Sequence, residues 1–228
     1  MENSKEIFNR LLSLPLFSGL SYDDVIEIAG YARLDFHEVT AGEAIAREGE
    51  ASDHVIFMIS GKVTTTSYSD DRAYSLTEYL DSPFAFQPET LFGKNQYFVC
   101  TLTALTTCSY LVLSKRDLVR ISEVNEVFRF NLFSFLSTSS QMLYRRLWRV
   151  PPRTPAEAIA RFLQLHCLRP AGRKDIHIKL RRFSEETGVN YYALSKTIAR
   201  MEDEGLLKHT RGEISIPAME RLIKDTRN

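Results

Sequence analysis

Residues 124–149 contain neither glycine nor proline, and the segment PPRTP (151–155) follows at once. Proline removes a backbone donor and restricts the residue before it, so this pattern predicts one long helix that stops at Val150. Within it Phe133, Leu136, Ser140, Leu143, Leu147 and Val150 recur at alternating gaps of three and four, the spacing of a heptad seam. A second apolar set, Phe128, Leu132, Phe135 and Met142, lies on another face. A helix with two apolar faces needs two partners. The expected ones are the protein's own β domain on one side and a second copy of the chain on the other; packing against the β domain alone is the plainer alternative.

The long helix separates two different textures. Before it, residues 6–31 read as short helices, with Ser21 as a cap and Asp23 and Asp24 in the first turn. From Arg33 to about Leu113, short apolar or threonine-rich runs such as VIFMISGKVTTTSY alternate with turn signals such as AGE, EGE, SGK and SDDRA. That spacing describes a sandwich or jelly-roll-like barrel. A short helix is expected over Lys115–Ser122. After PPRTP come an amphipathic helix (156–168) and a loop, RPAGRKD. The fold class is therefore α+β, with expected domains at 1–122, 123–150 (the long helix) and 151–228.

Charge follows the same division. The 228-residue chain has no net charge, yet residues 1–150 hold 14 Lys+Arg against 19 Asp+Glu, and residues 151–228 hold 15 against 10. The positive potential thus lies where a polyanion would bind. No apolar run is long enough for a membrane helix, so no membrane partner is expected. The opening MENSKEIFNR lacks a basic start followed by an apolar stretch, which argues against a secretory signal. Three widely spaced cysteines, Cys100, Cys108 and Cys167, point to reduced thiols in a cytoplasmic setting and give no zinc spacing.

The most informative segment is LRRFSEETGVNYYALSKTIARMEDEGLLKHTRGEISI (180–216). Leu180–Thr187 suits a short helix and Gly188 a tight turn. Asn190 caps a second helix running to about Glu204. Leu194, Ile198 and Met201 face inward in it, while Tyr191, Tyr192, Ser195, Lys196 and Arg200 face out. Gly205-Leu206-Leu207 ends the helix, and KHTRGEISI forms a hairpin wing with Arg211-Gly212 at its tip. This is a winged helix-turn-helix whose second helix presents its early residues to the major groove. Ser195 and Lys196 can donate to bases or phosphates, and the tyrosines can touch thymine methyls or donate to phosphate. Arg181, Arg182, Arg200, Lys208 and Arg211 suit phosphate contacts that set register.

With LPLFSGLS (14–21), AGEAIAREGEASDHVIFMISGKV (41–63), TALTTCSYLVLS (103–114), the long helix and the winged unit in this order, the chain resembles the catabolite-activator/FNR (Crp/Fnr) superfamily of bacterial regulators. The resemblance implies an N-terminal cyclic-nucleotide-binding-like β-roll, a dimerisation helix, promoter DNA as partner, and contact with RNA polymerase. Such dimers commonly bind half-sites about one DNA turn apart and bend the duplex. The resemblance breaks where a cyclic nucleotide would sit. The family's Gly-Glu pair falls at Gln87-Pro88, and its Arg followed by Ser or Thr at Phe98-Val99. Its hydroxyl residues on the long helix fall at Leu143 and Tyr144. A phenylalanine cannot pair with phosphate, so cAMP is not the expected ligand. The expected effector pocket is Phe84, Phe86, Gln87, Phe98, Val99, Leu143 and Tyr144, either filled by its own side chains or holding an apolar effector such as haem; no cofactor is required. An FNR-type iron–sulfur cluster is excluded, because the first 99 residues hold no cysteine. The family's reading-helix Arg-Glu pair falls at Tyr191-Tyr192 and its later Arg at Lys196, so a different operator is expected.

Two other functions compete. A cupin-like metalloenzyme needs clustered ligands, and His37 and His54 stand alone; no catalytic constellation or metal site is expected. A dimeric protein-interaction scaffold that reads no DNA is the alternative that the missing arginine fork leaves open.

Overall fold

The structure, a computed structural model, describes residues 8–226, which divide into two compact units. One comprises the chain up to Val63 together with Asp81–Leu147; the other comprises Thr64–Leu80 and everything from Trp148 on.

The first unit contains helix α1 (Tyr22–Tyr31) and strands β1 (Asp35–Val39), β2 (Ala44–Ala46), β3 (His54–Ser60), β6 (Phe84–Phe86), β7 (Thr101–Ala104) and β8 (Cys108–Ser114). Its four-stranded antiparallel sheet runs β1-β8-β3-β6, with Phe57 opposite Leu111 and Ile56 opposite Phe86. Helices α2 (Lys115–Val124) and α3 (Glu126–Leu147) follow. The division expected between the short and the long helix falls at Asn125, whose Oδ1 accepts the Phe128 amide at 2.9 Å and whose Nδ2 donates to Asp24 at 3.0 Å. Hydrogen bonds from Ser21, which complete the capping box of α1, hold the Asp24 carboxyl below its usual range. The core closes where Phe17 meets Phe57 and Phe128 edge-on, at 5.6 and 5.3 Å between centroids. Phe128 and Leu132 of α3 are buried there, and Phe135 and Leu136 pack partly against the same core. Met142, grouped with them on the sequence pattern, is exposed instead. It lies two turns beyond Phe135, past the residues that pack on this core.

The second unit holds α4 (Pro155–His166), β9 (Lys174–His177), α5 (Leu180–Thr187), α6 (Tyr191–Asp203), the wing strands β10 (Lys208–Thr210) and β11 (Glu213–Ile216), and α7 (Met219–Asp225). To these it adds residues 64–80, most of the hairpin of β4 (Lys62–Tyr68) and β5 (Ser75–Asp81). The sequence boundaries had set residues 64–80 with the first domain; by packing they go with this one. The reason is strand pairing. The segment expected to be a loop, RPAGRKD, gives way to β9 at Lys174, and β9 lies between β11 and β5. Ser75 pairs with His177 and Glu78 with Lys174. Leu76 enters the apolar core with Phe162, Phe183, Leu194, Ile198 and Ile214.

The same pairing buries charge. Lys174 and Glu78 are 0% and 2% exposed and lie 3.1 Å apart. Lys174 also donates to the Ala171 carbonyl at 2.6 Å, and Glu78 accepts the amides of Leu168 and Arg169. Beside them Asp175 accepts from Tyr79 at 2.7 Å and from Arg173 at 2.8 Å. Desolvation pushes the Asp175 carboxyl up, but hydrogen bonds from Tyr79, Arg173 and Ser215 outweigh it and hold the group below the usual carboxylate range. A buried pair adds little over an apolar one, whereas a buried charge without its partner is strongly destabilising. Lys174→Met is therefore expected to lower the unfolding free energy by about 3–5 kcal/mol in urea melts. Adding Glu78→Gln should restore part of the loss, because an amide needs no cation.

Candidate nucleic-acid interface

The helix-turn-helix is set by backbone chemistry. Gly188 has φ +67°, the left-handed conformation a tight turn requires, with nothing within 4 Å of where a Cβ would stand; the conformation rather than crowding favours glycine there. The Asn190 side chain accepts the Tyr192 amide at 3.0 Å and opens α6. At the other end Gly205 is left-handed at φ +68°, its amide reaches the Glu202 carbonyl, and the Leu206 amide reaches Met201. These two bonds make a Schellman stop. Leu194, Ile198 and Met201 are buried, so the opposite face of α6 is outward.

On that face Tyr192 is 81% exposed and Tyr191 about half exposed, with the two rings edge-on at 5.8 Å. Lys196, Lys208 and Arg211 are exposed and, among the described residues, have no acidic partner; Ser195 is half-buried. The wing pairs Lys208 with Ser215 and turns at Arg211-Gly212, where Gly212 has φ +84°.

The other arginines are engaged. Arg181 faces Glu185 at 3.7 Å, and Arg200 faces Glu204 at 2.8 Å. Arg182 meets Glu186 at 2.6 Å and Asp71, from the β4–β5 turn, at 3.0 Å. The three local pairs, Arg200–Glu204 reaching the cap residue of α6, follow i,i+4 spacings. The Asp71 contact had no local signal.

The outer face of α3 is apolar and uncovered. Phe133 and Leu143 of the predicted seam are exposed, as is Ser140, and Leu136 is half-buried against the first unit's core; Val150, expected as the helix's last residue, is exposed and lies beyond the helix end at Leu147. The Leu147 side chain lies outside the described residues. Phe130, 72% exposed, belongs to the same surface and was not in the predicted set.

The expected effector residues are placed in two environments. Phe84, Phe86, Gln87 and Phe98 are buried, with Phe86 and Phe98 at 5.5 Å and His54 edge-on to Phe98 at 5.6 Å. Val99 is 63% exposed, and Leu143 and Tyr144 are similarly open at the far part of α3. Gln87 has φ +45°, a backbone conformation that glycine adopts without cost; the family resemblance places a glycine at this position. Its side chain accepts the Val99 amide at 2.9 Å and donates to the Cys100 sulfur at 3.0 Å, so it bridges the turn and the facing segment. Among the described residues, no group of three or more His, Cys, Asp or Glu side chains is placed to hold a metal ion, and no helix is long and apolar enough to cross a membrane.

Residues 36–125 match the family model of the cyclic nucleotide-binding domain. The sensor domain of the transcriptional regulator DNR from Pseudomonas aeruginosa shares 21% identity at a TM-score of 0.53, covering 68% of this chain and 99% of that one. The catabolite activator protein of Thermus thermophilus matches at 17% identity and TM-score 0.49, over 93% and 99% of the two chains. No curated protein sequence matches. The fold is α+β, with an N-terminal antiparallel domain of the cyclic-nucleotide-binding type followed by helices.

Loss of the α6 cap has a defined cost. Asn190→Ala is expected to lower the stability of the C-terminal unit by about 1 kcal/mol in thermal or urea melts.

Proposed function

We propose that this chain, which carries a cyclic-nucleotide-binding-type domain on a Crp/Fnr-type fold, is a homodimeric DNA-binding transcription regulator whose effector is not cAMP. The observation that carries the reading is the outer face of α6 with the wing. Tyr191, Tyr192 and Lys196 stand in water beside a glycine turn, and Lys208 and Arg211 have no acidic partner within the described chain. A helix so exposed fits the major groove, with the wing cations on phosphate. Two copies joined along α3 would cover Phe130, Phe133 and Leu143 and bring two such helices to successive half-sites. Promoter DNA is the partner and RNA polymerase the machinery acted upon, in the cytoplasm, with no reaction catalysed.

The effector reading rests on composition. Where an anionic cyclic phosphate would need an arginine, Phe98 stands buried against Phe86. That site suits an apolar or planar occupant such as haem only if the rings part, and otherwise it is a packed core with no ligand. Absorption spectroscopy with native mass spectrometry on protein purified without oxygen separates the two.

A second reading has its own support. Arg181, Arg182 and Arg200 are all held by acids, and phenols replace an arginine fork. A dimeric scaffold that contacts proteins and reads no DNA would tolerate this.

Fluorescence anisotropy on labelled duplex decides between them. The DNA reading predicts binding that weakens steeply with salt. Lys196→Ala should weaken it further and flatten the log–log salt slope by about one unit per subunit if the lysine meets phosphate. No binding at the lowest salt would leave the scaffold. For the dimer, Phe133→Asp is expected to shift sedimentation from twice the subunit mass of 26.2 kDa to a single subunit.

A further inference from the structure

The β4–β5 hairpin lies within the segment matched to the cyclic nucleotide-binding domain, yet it packs as part of the helix-turn-helix unit. It docks at three levels. Strand β5 extends the wing sheet by pairing with β9 from Ser75 to Glu78. Leu76 is buried among the side chains that support α5 and α6, and Glu78 closes the buried pair with Lys174. At the tip, Asp71 reaches Arg182 at 3.0 Å, and Tyr74 lies beneath the same guanidinium at 5.9 Å.

We propose that this hairpin is a latch on the DNA-binding unit, in which Asp71 occupies the position that a DNA phosphate would take on Arg182. The inference rests on the DNA-binding reading above. Arg182 is near the start of α5, the helix that crosses the backbone when its partner helix enters the groove. A carboxylate and a phosphate oxygen make the same forked contact with a guanidinium, so the two are competitors for one donor set. Arg182 is well suited to change partners. One nitrogen is shared between Glu186 at 2.6 Å and Asp71, and its Nε, buried, has no acceptor within the described residues. The tip is likewise built to present its acid. Asp71 Oδ1 accepts the Ser69 hydroxyl at 2.8 Å and the Ala73 amide at 3.1 Å, which leaves Oδ2 for the arginine. Those bonds, with Arg182 beside them, hold the carboxyl below the usual carboxylate range.

Asp71→Asn tests the latch, because an amide oxygen preserves both turn bonds while removing the charge from Arg182. Asp70→Asn, one residue away and unpaired with Arg182, controls for the general gain in positive potential. With the full chain and a fixed labelled duplex, Asp71→Asn is expected to tighten binding about two- to fivefold. It should also steepen the log–log salt slope by about one unit per subunit, as one more phosphate contact forms. Asp70→Asn should do less, and in an Arg182→Ala background the Asp71 substitution should have no effect beyond that of Asp70. Equal effects of the two asparagine variants, or an Asp71 effect that persists undiminished without Arg182, overturn the latch while the DNA reading stands. Failure of both the unsubstituted chain and Asp71→Asn to bind any duplex in dilute buffer overturns both.

Discussion

A carboxylate taken out of water must find every donor it has lost, and for Glu78 those donors all come from one place. Two are backbone amides at Leu168 and Arg169, and the third is the ammonium of Lys174, itself wholly buried. Because none can be replaced by solvent, the hairpin has one docking position and one register against β9. The consequences spread outward. The exposed edge that β9 would otherwise present is covered, which removes a site for stray strand addition. Leu76 is carried into the core, and the sheet under α6 becomes continuous from the wing to the hairpin.

Local chemistry made much of the C-terminal unit readable in advance. Gly188, Asn190 and Gly205 each act within a few residues of themselves, so their roles as turn, cap and stop follow from identity and order alone. The buried triad of α6 follows from its period. What escaped was non-local. Lys174 sits in a stretch rich in arginine, glycine and aspartate that reads as a solvated loop, and nothing near it signals that Glu78 lies opposite. The strand β9, the second-unit placement of residues 64–80 and the Asp71–Arg182 contact were all illegible for that reason. The same applies to Met142, where a helical period correctly grouped an apolar face but could not say where the supporting core ends.

The segment matched to the cyclic nucleotide-binding domain shows a related split between backbone and side chain. At Gln87 the chain keeps a left-handed turn suited to glycine, while the side chain at that point is long and polar and is used internally, on Val99 and Cys100. The turn is thus held by a side chain that serves the segment's own packing. With Phe86 and Phe98 in ring contact, aromatic packing rather than a charged side chain fills this place.

The bare outer face of α3 bears on how much protein is made. Phe130 and Phe133 in water are tolerable for a subunit only briefly if pairing is its resting condition, since an apolar stripe of this kind invites unintended contacts. Under the dimer reading, subunit survival becomes a mass-action quantity: dilute chains linger in a sticky form open to proteolysis, whereas abundant chains shelter one another. Expression level would then set the working population more than proportionately.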